Sequence, residues 1–216
     1  MSEDSPEKQP VRSFFNPWAP VDRHGGRLPH WQQAGMTVFV TFRLADSLPQ
    51  SKLDALRAQK REWLAAHPEP WAPEEEREYL RLFAGRIETW LDRNYGSCVL
   101  ARPALRKLVA DALRFFDGER YRQHAWVLMP NHVHALFTLD RERTLDGVLH
   151  SWKSYTAHKV QEDPAAPKPL WQEDYFDRII RNEAHFARTL RYIRRNPANC
   201  RPNTFEVWEH PAHAAY

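Results

Sequence analysis

Along the chain, apolar positions either alternate with polar ones in short blocks or recur at helical spacing in longer ones. The first clear block is "MTVFVTFRLAD" from Met36, rich in β-branched and aromatic residues. Val38, Val40 and Phe42 face one way, Thr37, Phe39 and Thr41 the other, which predicts a largely buried strand. Ser51 and Asp54 then form a capping-box start for a helix carrying Leu53, Leu56, Trp63 and Leu64, ending near His67. "HPEPWAP" (67–73) breaks it. A second helix runs from about Glu74 to Arg93, with Tyr79, Leu82, Phe83, Ile87, Trp90 and Leu91 on its stripe. Pro103 opens a third helix through Leu105, Leu108, Val109, Ala112 and Phe116.

Two strands follow, 121–129 and 132–140, joined by a tight turn at Met129-Pro130-Asn131. Leu145–Gln161 predicts a fourth helix, 162–169 a linker, 170–180 a short extended segment, and Glu183–Arg195 a fifth helix stopped by Pro197. The order strand, helices, strand, strand, helix suits a small antiparallel sheet with helices packed on one face, an α+β architecture.

With 216 residues, 42% of them hydrophobic, and nine tryptophans, the chain is long and apolar enough for one substantial core. Prolines crowd residues 1–30, 68–73, 164–169 and the last twenty. That placement divides the chain into an irregular leader (1–30), anchored by Phe14, Phe15 and Trp18, a domain (31–200) with a helical insertion at 45–100, and a tail (201–216). Cys98 and Cys200 are far apart, the N-terminus carries no apolar signal segment, and no run approaches membrane-spanning length. A reducing cytoplasm, no disulfide framework and no membrane partner are the expectations.

Net charge is only +3. Its distribution says more: "RIIRNEAHFARTLRYIRR" (178–195) holds six arginines against one glutamate. Such a run is either a solvated face or a surface for a polyanion.

The apolar strand "AWVLMPNHVHALFTL" (125–139) contains His132 and His134. Residues i and i+2 of a strand share a face, so the two imidazoles stand roughly 6.5–7 Å apart at the backbone and can close on one metal ion. The plainer reading is a pair of hydrogen-bonded histidines. In "HSWKSYTAHKVQ", Tyr155 lies among Lys153, His158 and Lys159. Neighbouring cations lower a phenol's pKa, which makes Tyr155 a candidate nucleophile. An ordinary amphipathic contact on the sheet is the alternative.

"VLMPNHVHALF", then "SWKSYTAHKV", "LWQEDYFDRIIRNEAHF" and "YIRRNPANC", together with the early "VTFRLADSLP", resemble the REP-associated tyrosine transposases of the single-tyrosine HUH (IS200-like) superfamily. The resemblance implies a ferredoxin-like antiparallel sheet and a metal-dependent endonuclease and strand transferase acting on single-stranded DNA at hairpins, through a 5′-phosphotyrosine intermediate. It assigns the metal to His132 and His134, and the attack to Tyr155. A polar residue one turn after the tyrosine completes the family's metal site. Lys159 stands there, so His158, Glu173, Asp174 or Asp177 is expected as third ligand. Mg²⁺ or Mn²⁺ is the implied cofactor.

Candidate backbone contacts are Lys153, Lys159, Arg178, Arg181, Arg188, Arg191, Arg194 and Arg195, with Trp152, Trp171 and Tyr175 as stacking faces. Localisation is expected to be cytoplasmic and nucleoid-associated, with the protein a monomer or homodimer. Competing readings are a non-catalytic hairpin-binding protein, a replication initiator or relaxase, and an unrelated zinc hydrolase.

Overall fold

The structure is a computed structural model that describes residues 12–16, 18–19, 22–25, 29–68, 71–214 and 216. A hairpin of β1 (Asp22–Gly25) and antiparallel β2 (Pro29–Gln32) occupies part of the segment expected to be irregular. Phe14 and Phe15 pack against the cores, whereas Trp18 is 92% exposed and anchors nothing.

β3 (Thr37–Arg43) then leads into the insertion: α1 (Gln50–Ala66), α2 (Pro73–Tyr79), a π-helical turn at Leu80–Ala84, and α3 (Gly85–Leu91). The expected Ser51 cap does not form. Pro49 takes the N-cap position, and Gln50 Nε2 donates to Asp54 Oδ1 at 2.8 Å. The insertion has small cores of its own, Leu48, Leu53 and Leu91 in one and Leu56, Tyr79 and Phe83 in the other.

The rest of the chain forms α4 (Pro103–Arg114), β4 (Tyr121–Leu128), β5 (His132–Leu139), α5 (Leu145–Lys159), β6 (Phe176–Ile179), α6 (Glu183–Arg195) and β7 (Glu206–Glu209). Thr144 caps α5 by accepting from Gly147 N–H, and Asn182 caps α6 by accepting from His185 N–H. Five strands make one antiparallel sheet in the order β6-β3-β5-β4-β7.

The α+β class is as expected, but the layering differs, because helices cover both faces. Val40, Phe42, Val133, Ala135 and Phe137 meet α4 and α5 through Val109, Leu113, Leu149 and Trp152. On the other face Phe39, Val127 and Leu136 meet Phe186, Leu190 and Ile193 of α6. β5 is buried at every position, so each face needs a cover. Burying each such large side chain contributes about 1.5–3 kcal/mol, which fixes the β5 register that the site depends on. No helix among the described residues is long and apolar enough to cross a membrane.

Candidate active site

β5 sends Val133, Ala135 and Phe137 toward α4 and α5, so His132 and His134 emerge on the α6 face. Both are completely buried. Asn131 orients the first: His132 Nδ1–H donates to Asn131 Oδ1 at 2.7 Å. The Asn131 amide in turn donates to the carbonyls of Leu91 (3.3 Å) and Tyr95 (3.1 Å), which fixes its own orientation. That tautomer leaves His132 Nε2 as an acceptor. His134 Nδ1 pairs with Thr41 Oγ1 on the adjacent β3 at 2.7 Å, and Phe39 stacks on its ring at a centroid distance of 5.3 Å.

The two Nε2 atoms face each other at 3.1 Å. Burial pushes His132 down to about 3 and His134 well below its ordinary range, the latter helped by His132. Both rings are therefore neutral at neutral pH and available as ligands.

Tyr192 of α6 completes the group. Its hydroxyl lies 3.2 Å from His134 Nε2, and its ring packs edge-on against His134 and Phe39. Burial first, then Glu88 and Asp92, raise its phenol above the usual value, while Arg178 and the side chain of Asn196 oppose them. Asn196 follows Tyr192 by one helical turn, and its Oδ1 is buried without a hydrogen-bond partner. Beside Tyr192 opens a cleft of about 250 Å³, lined by Phe39, Glu88, Arg178, His185, Arg188 and Thr189. Arg178 pairs with Phe39 across the strands, so it leaves the sheet on the histidine face, and its Nε is buried without a partner.

Two converging imidazole nitrogens and an orphaned amide oxygen fit a divalent cation.

Several expected residues are not brought to this site. Tyr155 is 48% exposed on α5, which packs on the opposite face of the sheet, and its neighbour there is Lys159, with Nζ 5.8 Å from the ring. Trp152 and Thr156 take the inward positions of that helix, so Tyr155 points to solvent. His158 and Lys159 are exposed at its end. Asp177 pairs with Val40 and shares that residue's face, away from the histidines. Asp174 interacts instead with Arg43, Lys60 and Lys153, and the neighbouring Glu173 is exposed, its carbonyl accepting from Lys153 Nζ at 2.6 Å. Among the described residues no group of three or more His, Cys, Asp or Glu side chains could hold a metal ion. A third ligand from His158, Asp174 or Asp177 is thus not what the fold provides.

Trp152 and Trp171 are buried core residues whose indole N–H groups donate to Tyr121 Oη (2.9 Å) and Thr156 Oγ1 (2.8 Å), so neither is a stacking platform. Tyr175 is buried too, its hydroxyl donating to Asp146. Arg194 is engaged with Glu209 at 2.5 Å. Arg178 and Arg188 line the cleft, while Arg181, Arg191 and Arg195 are exposed. Sequence reasoning passed over Tyr192 and Asn196; the signal for them is "YIRRN", a tyrosine with a polar side chain one turn later.

Residues 103–196 match the family model described as "Transposase IS200 like". The solved structure described as "Structure of the REP associates tyrosine transposase bound to a REP hairpin" is similar, with 18% identity and a TM-score of 0.45 over 79% of this chain and 71% of that one. No curated protein matches the chain. From α4 through the histidine strand to the end of the tyrosine helix, the chain is similar to the IS200-like transposases.

Proposed function

We propose that the protein cuts and rejoins single-stranded DNA through Tyr192, with hairpin-bearing strands as substrate and a divalent metal, Mg²⁺ or Mn²⁺, as cofactor. The observation that carries this is the convergence of the Tyr192 hydroxyl with the two inward Nε2 atoms. His132, His134 and Asn196 Oδ1 are the ligands proposed. When bound, the metal supplies Lewis-acid polarisation of the scissile phosphate.

The chain's own residues do the rest. Arg178 and Arg188 hold the phosphate in the cleft and offset its charge. Tyr192 Oη attacks phosphorus, losing its proton as the new O–P bond forms. The P–O3′ bond breaks, the departing 3′ oxygen takes up a proton, and the 5′ phosphate stays on the tyrosine. Attack by a DNA 3′-OH reverses the step and joins strands without an external energy source. The histidines and the tyrosine come from one chain, so a monomer carries a whole site.

The test is to incubate the protein with end-labelled, hairpin-bearing single-stranded DNA and Mn²⁺, then separate products on a denaturing protein gel. A covalent protein–DNA band that chelation prevents and Tyr192→Phe abolishes is the expected result. Cleavage that survives Tyr192→Phe would mean water is the nucleophile and would overturn the proposal.

A further inference from the structure

Helix α1 turns an uncommon stripe inward. Leu53 and Leu56 are buried, and Arg57 and Lys60 continue the same row at i+4 and i+7 from Leu53. Two cations therefore occupy positions where an amphipathic helix normally places apolar groups.

Arg57 acts on a third cation, Arg43, the last residue of β3, and Lys60 shares the Asp174 carboxylate with it. Burial, reinforced by Arg57, brings the Arg43 guanidinium down to about 10, and burial brings Lys60 down to about 8. Asp174 offsets both, Arg43 Nη1 donates to Ser47 Oγ at 3.0 Å, and Arg57 pairs with Asp54 at 3.3 Å. Drawing like charges together in partly desolvated surroundings costs stability, and a bound polyanion relieves that cost.

The position matters as much as the charge. Arg43 lies directly across the strands from His132, and cross-strand partners project from the same face. The cluster is therefore continuous with the face that carries the histidines. α1 itself belongs to the insertion, outside the segment similar to the transposases.

We propose that Arg43, Arg57 and Lys60 form a track for the phosphates of single-stranded DNA, leading its backbone from the histidine pair along the insertion. The inference rests on the proposed DNA-cutting function and extends the substrate contact beyond the cleft.

The experiment measures binding of a fluorescent oligothymidylate of about 20 nucleotides between 50 and 200 mM salt, roughly the range over which phosphate contacts are read. It compares wild type, the double variant Arg57→Gln/Lys60→Gln, and Arg77→Gln, which removes an exposed cation of α2. The double variant should bind about 5–10-fold more weakly at the low-salt end, with a slope of log K against log salt shallower by about 1.4, near 0.7 per lost phosphate contact. Its Tm should stay close to that of wild type, since loss of the Arg43–Arg57 repulsion offsets loss of the Lys60–Tyr79 and Arg57–Asp54 contacts, and Arg77→Gln should match wild type in binding. A double variant with wild-type slope and affinity overturns the track, and a fall in Tm with an unchanged slope overturns it by assigning the cations to packing. If wild type binds no single strand, the DNA-cutting function fails and the track with it. If wild type binds and the variant is indistinguishable, only the track fails.

Discussion

The hydroxyl of Tyr192 lies 3.2 Å from Nε2 of His134, the imidazole nitrogen that also faces His132. Tyr155, by contrast, points to solvent from the far side of the sheet. Tyr192→Phe deletes one oxygen from a packed ring, so the fold should persist with a stability change within about 1 kcal/mol. Adduct formation should fall more than about a thousand-fold. Tyr155→Phe should leave the adduct yield at wild-type level. Reversed outcomes on the same denaturing gel would return the nucleophile to α5.

The contrast shows what the sequence could carry. The histidine pair was legible because a strand has a fixed period of two and the 129–131 turn sets its register. The amphipathic stripe of α6 was legible as well. Which face of the sheet each helix covers was not, because α5 and α6 present similar patterns and only the packed core sorts them. Tyr155 among cations was locally the stronger nucleophile signal, yet local charge says nothing about distance from the histidines. At Tyr155 the position one turn later holds Lys159, whereas at Tyr192 it holds Asn196, a side chain with an oxygen to offer. Asn131, Thr41 and Glu88 reach the site through long-range contacts that no single stretch encodes.

Asn131 joins the insertion to the site, since its amide holds Leu91 and Tyr95 carbonyls while its oxygen fixes the His132 tautomer. Asn131→Leu leaves these groups buried and unpaired, at a cost of about 1–3 kcal/mol each before relaxation. Freed of its orienting partner, His132 should bind metal less well. Titration calorimetry with Mn²⁺ should show affinity weakened by about 10–100-fold, and urea unfolding should show the stability loss. Full Mn²⁺ affinity in a folded Asn131→Leu protein would remove Asn131 from this role.

A second histidine pair makes stability sensitive to acid. His124 Nδ1 and His213 Nε2 lie 3.0 Å apart, linking β4 to the C-terminal segment. Burial is the main cause that depresses both, His124 to about 2 and His213 to about 4, with His213, Arg12 and His210 also acting on His124. A folded-state pKa below the unfolded value near 6.5 means that the unfolded chain binds more protons between the two. The stabilisation is therefore complete above about pH 6.5 and is lost as pH falls toward 4 for His213 and lower for His124, with a limiting slope of about 1.4 kcal/mol per pH unit for each histidine. Urea midpoints measured from pH 7.5 down to 4.5 should decline below about 6.5, and His124→Gln/His213→Gln should make that decline shallower, leaving the part due to the likewise depressed His132, His134 and His185. An unchanged profile in the double variant would assign the acid sensitivity to other groups.

Gly96 lies against the backbone just beyond the end of β3. Its φ is +88°, and a Cβ there would fall 2.4 Å from the Asp46 carbonyl oxygen. The adjacent Ser97 N–H donates to Asp46 Oδ2 at 2.7 Å, so the loop is held where the clash would occur. Gly96→Ala thus combines left-handed strain with a collision against backbone, and should cost more than about 3 kcal/mol. Gly118 is the matched control: its φ is +87°, but a Cβ there would meet only Arg122 Nη1, at 3.5 Å. Gly118→Ala should cost only about 1–2 kcal/mol, the conformational part. Because Tyr95, whose carbonyl accepts from Asn131, precedes Gly96, the Gly96→Ala protein should also lose Mn²⁺ affinity at temperatures where it remains folded. Equal melting shifts for the two alanine variants would show that the Asp46 contact yields freely, and the insertion could then not hold Asn131 in place.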